Sequence, residues 1–158
     1  MQMPIEIERK FLVVGETWRE VPAVYYAQGY LNRDKARTVR VRIANNQAFL
    51  TVKGANQGAR RCEFEYPIPV PDARELLCLC EQPLIEKYRR NILHAGFVWE
   101  VDEFLGENTG LVVAEIELPD ESTEFERPDW VGLEVTNDSR YYNANLSRYP
   151  YIQWQNND

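Results

Sequence analysis

Apolar and polar residues alternate along most of the chain, the period-two signature of β-strands. The first run is Ile5-Glu6-Ile7-Glu8-Arg9-Lys10-Phe11-Leu12. A tyrosine-rich run follows from Val24 to Asn32. Thr38 to Ile43 and Ala48 to Lys53 come next, joined at Asn45-Asn46, a hairpin signal. Further strands are expected over Arg60 to Ile68, Leu84 to Leu93, Phe97 to Phe104 and Leu111 to Leu118. Ala73, Leu76, Leu77 and Cys80 recur at helical spacing instead, so Asp72 to Glu81 is expected as a helix with Asp72 at its N-cap. Beyond Pro119 the pattern loosens. A short helix is expected within Asp120 to Trp130 and a last strand over Val131 to Thr136. A final helix is expected over Arg140 to Ser147, begun by the Asn137-Asp138-Ser139 cluster and stopped by Pro150. About eight or nine strands with little helix give a mostly β (α+β) class, an antiparallel β-barrel with hairpin connections.

Residues two apart share a face of a strand, so the charges can be sorted by parity. Glu6, Glu8 and Lys10 share one face, as do Arg40 and Arg42, Glu63 and Glu65, Lys87 and Arg89, Glu100 and Asp102, and Glu115 and Glu117. Lys53 and Glu134 stand on strands of their own. The opposite face is apolar: Ile5, Ile7 and Phe11, then Val39, Val41 and Ile43, then Ile116 and Leu118. One reading is a barrel with an apolar inside and a solvated, charged outside. Two features favour the reverse. The charges come as same-sign pairs on single strands, which a mixed solvated surface avoids. The pattern also recurs on nearly every strand, acidic on some and basic on others. That describes a polar lumen with acidic and basic walls.

The chemistry of such a lumen is specific. Clustered carboxylates repel one another and are stabilised by a hard divalent cation such as Mg²⁺ or Mn²⁺. Arginine and lysine on facing walls hold phosphate oxygens. Together they are equipment for phosphoryl transfer from a polyanion. Gly106 to Gly110 does not form a Walker-type loop.

Composition bounds the rest. The 158 residues suit a single domain, and a hydrophobic content of 44% supports a packed core. No run of about eighteen apolar residues exists, so no membrane span is expected. The opening MQMPIEIERKFLV lacks a signal-peptide stretch, which makes the cytoplasm the expected location. A net charge of -7 weighs against a nucleic-acid-coating protein. With one histidine beside Cys62, Cys78 and Cys80, a zinc site is not expected, and the cysteines read as reduced, buried small hydrophobes. His94 reads as an exposed turn residue, Arg9 and Arg90 as surface charges, and the four tryptophans as packing rather than base-stacking groups.

Glu6-Ile7-Glu8-Arg9-Lys10 forms an ExExK motif. In order along the chain come Gln28-Gly29-Tyr30-Leu31, Arg40-Val41-Arg42, Leu50-Thr51-Val52-Lys53-Gly54 and Glu86-Lys87-Tyr88-Arg89. Trp99 to Phe104, Ala114 to Leu118, Gly132 to Thr136 and Arg140 to Leu146 complete the series. From residue 5 to about 150 the chain resembles the CYTH superfamily, the triphosphate tunnel metalloenzymes, and within it the short bacterial inorganic triphosphatases. The resemblance implies one domain over 1–158: an eight-stranded antiparallel tunnel, open at both ends, with a few flanking helices. A short C-terminal helix at about 139–147 would cover one end as a plug. The resemblance also implies metal ligation by Glu6, Glu8, Asp102, Glu115 and Glu117. Triphosphate binding falls to Lys10, Arg40, Arg42, Lys53, Lys87 and Arg89. Glu63, Glu65, Glu100 and Glu134 are left to a supporting network. Lys87 is placed near the scissile bridge and Tyr30 where its hydroxyl orients substrate or water. Their alternatives are an ion-pair partner and a wall residue.

The implied activity is Mg²⁺- or Mn²⁺-dependent hydrolysis of inorganic tripolyphosphate or another triphosphate. No nucleic-acid or membrane partner is expected, and the family's habit of pairing barrels implies a homodimer. Adenylate cyclase, thiamine or nucleoside triphosphatase, a non-catalytic polyphosphate-binding module and a structural barrel stay as alternatives. No HFxGxY-like opening precedes the ExExK motif, which weighs against the cyclase.

Overall fold

The computed structural model describes residues 4–154. Its strands are β1 (Ile5–Val13), β2 (Val24–Asn32), β3 (Arg37–Ala44), β4 (Gln47–Gly54), β5 (Arg60–Ile68), β6 (Glu81–His94), β7 (Phe97–Phe104), β8 (Val112–Glu117) and β9 (Val131–Glu134). Helix α1 (Val70–Leu79) lies between β5 and β6, and α2 (Asn143–Arg148) and α3 (Tyr151–Trp154) follow β9. The polar tail 155–158 lies outside the described residues.

The strands pair antiparallel in the order β5-β4-β3-β2-β6-β7-β8-β1, and β1 returns to β5 to close an eight-stranded barrel. Strand β1 divides one of its edges. Ile5 to Ile7 pair with β5, whereas Phe11 to Val13 pair with β9. Strand β9 therefore lies outside the closed ring and delivers the chain to the barrel end.

The hydrophobic core sits mainly on the outer face of the barrel wall. One cluster joins Ile7 and Phe11 of β1 to Trp99, Val101, Ile116 and Trp130. The segment between β8 and β9 covers it, with Phe125 and Trp130 edge-on to Trp99 at 5.7 Å. A second cluster seats Ala73 and Leu77 of α1 on Val41 and Ala48. Cys80 belongs to it and crosses β2 so closely that a Cβ on Gly29 would stand 2.7 Å from its Cβ. The third cluster has a different character. Ile85, Phe104 and Val113 have the parity of Lys87, Asp102 and Glu115, so the inner face turns apolar toward one end. Tyr141, Leu146 and Trp154 pack into that end as a stopper.

Several expectations change. Residues 120–130 form no helix; turns and extended chain run there, because Phe125 and Trp130 are spent on the barrel's outer wall. Helix α1 begins behind Pro69, which puts Asp72 in its first turn and not at the N-cap. The plug is shorter than expected: a 3₁₀ turn at Ser139–Tyr141, capped by Asp138 through Arg140 N, and then α2. Only Cys80 of the three free cysteines is buried; Cys62 is half-buried and Cys78 exposed. His94 is half-buried, 3.9 Å from Glu126.

Candidate functional site

Strand register assembles an acidic wall. Across β1 and β8, Glu8 faces Glu117 and Lys10 faces Glu115; across β7 and β8, Glu100 faces Glu115. Glu8, Glu100 and Glu115 each bring a carboxylate oxygen to within 4.8 Å of the others. Burial, then repulsion from Glu115 and Glu6, raises Glu8 well above the usual carboxylate range. Burial also pushes Glu115 up, but Lys10, Arg89 and Lys87 more than offset it and hold that carboxylate low. Glu6 is raised by burial, offset in part by Lys53 at 2.8 Å. Glu117 stands exposed at the rim and is raised by partial burial and by Glu6 and Glu100. Oxygen-only donors that repel one another in a desolvated cluster match the needs of a hard divalent cation.

The facing wall is cationic. Lys10, Arg40, Arg42, Lys53, Arg61, Lys87 and Arg89 line one cavity with Glu6, Glu8, Glu115 and Tyr30. Arg40 is buried against Thr51, its NH2 group 3.2 Å from the hydroxyl, and its Nε has no hydrogen-bond partner. Arg42 donates to Gln28 at 2.9 Å; burial, then repulsion from Arg40 and Arg89, lowers it to about 10. Lys87 is fully buried, 2.8 Å from Asp102, and lowered to about 7 by burial and by the cations Arg89 and Arg42. Positive charge on this wall thus exceeds what its carboxylates neutralise, which is the state of an anion site awaiting its anion.

Of the residues expected in the lumen, Glu6, Glu8, Lys10, Tyr30, Arg40, Arg42, Lys53, Lys87, Arg89 and Glu115 line the cavity, and the rest take other places. Asp102 holds Arg89 by two hydrogen bonds, at 2.7 and 2.8 Å, and also holds Lys87. Lys53 bridges Glu6 and Glu63. Glu65 lies exposed and accepts from Thr51 at 3.3 Å. Glu134 belongs elsewhere. On β9, outside the ring, it takes Arg9 in a two-pronged ion pair at 2.8 and 2.5 Å. Arg9 is accordingly built into the outer wall, 4.9 Å over the Phe125 ring, and Arg90 is held by Val21 O and Glu103. Neither is a free surface charge.

Some site residues were passed over in the sequence. Arg61 lines the cavity and donates to Gly54 O and Thr38, and its parity with Glu63 was a usable signal. Asn143 of α2 accepts from Lys87 at 3.1 Å and from Gln28 at 3.2 Å. It lies in the Arg140 to Leu146 run that carries the resemblance, but nothing in that run gives it a role.

Comparison with known proteins agrees with this arrangement. The CYTH domain family model matches residues 4–149. An inorganic triphosphatase of Acetivibrio thermocellus is 55% identical over 148 residues, covering 92% of this chain and 95% of that protein. An inorganic triphosphatase of Nitrosomonas europaea is 36% identical over 146 residues, 90% of this chain and 96% of its own. A solved structure of an inorganic triphosphatase superposes with a TM-score of 0.65 at 35% identity, covering 90% of this chain and 93% of that one. The match spans the whole barrel and every wall of the cavity, and this chain belongs to the CYTH domain family.

Proposed function

We propose that this protein is a divalent-metal-dependent inorganic triphosphatase: tripolyphosphate and water give pyrophosphate and phosphate inside the barrel. The observation that carries the reading is the uncompensated cationic wall, above all the buried Arg40 Nε without a partner, facing a cluster of carboxylates across one cavity. The names of the two relatives support the same substrate.

Glu8, Glu100 and Glu115 would hold the metal, with Glu6 and Glu117 beside them; the all-oxygen set suits Mg²⁺ or Mn²⁺. Bound there, a divalent cation polarises phosphoryl oxygens and makes water a better nucleophile. Glu100 would take the place in this set that the resemblance implies for Asp102, whose oxygens are spent on Arg89 and Lys87. Asp102 instead braces two cations. Arg40 and Arg42 grip non-bridging phosphoryl oxygens, Arg40 through its free Nε. Lys10 and Lys53 neutralise charge from the β1 and β4 sides, and Arg89, held rigid by Asp102 and Glu100, presents a fixed positive edge. Lys87, desolvated and about half protonated at pH 7 in the empty site, stands where its ammonium form can neutralise the leaving pyrophosphate. Tyr30 is buried on the same wall, and its hydroxyl orients substrate or water.

The reading extends to the whole of 1–158 as one domain, to a cytoplasmic location consistent with three free cysteines, and to a homodimer. An outward row of exposed Ile5, Phe64 and Tyr66 supports the pairing, and sedimentation tests it. Among the described residues no helix is long and apolar enough to cross a membrane.

The test is phosphate release from tripolyphosphate, ATP and thiamine triphosphate with Mg²⁺, Mn²⁺ or chelator. Metal-dependent release, greatest from tripolyphosphate and abolished by Glu8→Gln, is expected. Cyclic AMP from ATP, or tight binding of tripolyphosphate without turnover, would replace the proposal with a cyclase or a binding module.

A further inference from the structure

Gln28 is an uncharged polar side chain of the lumen, fully buried on β2. Register sets it opposite Arg42 on β3 and Ile85 on β6, where the charged inner face gives way to the apolar stopper. Its amide is used at both ends. Oε1 accepts from Arg42 Nε at 2.9 Å, and Nε2 donates to Asn143 Oδ1 at 3.2 Å. The same Asn143 oxygen accepts from Lys87 Nζ at 3.1 Å. One carbonyl on the plug helix thus receives the amide that holds Arg42 and the ammonium of Lys87.

Two independent anchors seat α2 on the barrel, so that the carbonyl keeps its place when one of them is lost. Leu146 of α2 is fully buried in the stopper, and Ser147 donates to Pro83 O at 3.0 Å. A buried lysine has three donors and a flexible four-carbon stem, so its direction must be set by acceptors. Asp102 alone fixes one of them. Asn143 fixes a second without adding negative charge to a site that must receive a polyanion. A neutral amide serves here where a carboxylate would repel the substrate.

We propose that Asn143 and Gln28 are positioning residues: the plug helix, through these two amides, aims Lys87 and Arg42 at the triphosphate. The proposal rests on the triphosphatase reading for its kinetic consequence but not for its geometry. It makes α2 part of the active site's alignment as well as a closure.

The test compares Asn143→Ala, Gln28→Leu, their double variant and Ser147→Ala. The last loosens the same helix without touching either amide. Asn143→Ala is expected to lower kcat about tenfold with KM changed no more than about twofold, because the lost aim matters most at the transition state. Gln28→Leu is expected to fall similarly, and the double variant to be less damaging than the product of the singles, since both cut one chain of contacts. Ser147→Ala should lower Tm yet keep kcat. Equal kcat losses in Ser147→Ala and Asn143→Ala, or fully multiplicative singles, would overturn the proposal and leave Asn143 a docking residue.

Crystal structures of the variants decide the matter even if the wild-type protein releases no phosphate. Lys87 Nζ in Asn143→Ala and the Arg42 guanidinium in Gln28→Leu should leave their wild-type places; unchanged positions in both would refute the relay. Failure of the triphosphatase reading alone would appear as absent turnover with the displacements intact.

Discussion

Arg40 illustrates what the site demands of a single residue. Its guanidinium is buried and keeps Nε without a partner, a state that costs stability until an anion arrives. Arg40→Lys keeps the charge but loses the planar fork, so kcat/KM for tripolyphosphate should fall about tenfold and Arg40→Ala about a hundredfold, read in steady-state assays. Lys87 gives a pH signature. In the empty protein burial, Arg89 and Arg42 lower it to about 7, against 10.5 for the ordinary side chain. Between those values the unfolded chain holds a proton that the folded one has shed, so this residue's contribution to stability rises with pH across that window and is least below pH 7. A bound polyanion raises the folded value again. Metal-free binding of tripolyphosphate near pH 7.5 should therefore take up protons, measured by calorimetry in buffers of different ionisation heat, and Lys87→Met should abolish the uptake.

Strand β1 shows how one element serves two masters. Its Ile7 and Phe11 anchor the outer core, while Glu6, Glu8 and Lys10 face the lumen. Phe11 is fully buried, edge-on to Trp99 at 5.5 Å, and Phe11→Ala should destabilise the fold by about 3–5 kcal/mol in denaturant titrations. Glu8→Gln should do the opposite. Removing a carboxyl group crowded by Glu115 and Glu6 should raise the Tm of the metal-free protein by about 2–4 °C while destroying activity. This division was legible in the sequence because parity is local: alternate residues reveal which charges share a face. Two things were not local. Whether Asp102 or Glu100 meets Glu8 depends on the stagger between β7, β8 and β1, which no single strand records. Glu134 has the right parity on its strand, yet β9 lies outside the ring and hands it to Arg9. The helix expected within 120–130 is missing for a similar reason. The aromatic residues of that stretch answer to a wall they touch only in three dimensions.

At the scale of the molecule the barrel is inside out relative to most small β proteins: packing wraps the exterior and like charges crowd the interior. The fold is held closed from outside against repulsion from within. Metal and triphosphate bound together would turn that repulsion into attraction, so both together should stabilise the protein far more than either alone. Ligand at about a hundred times its Kd should add about 2.7 kcal/mol, visible as a rise in Tm. The same coupling reaches beyond catalysis. A chain that is safest when loaded and most vulnerable when empty should have a lifetime tied to its ligand. Where that ligand runs out, proteases should meet more of the opened form, and the protein's abundance should fall with it.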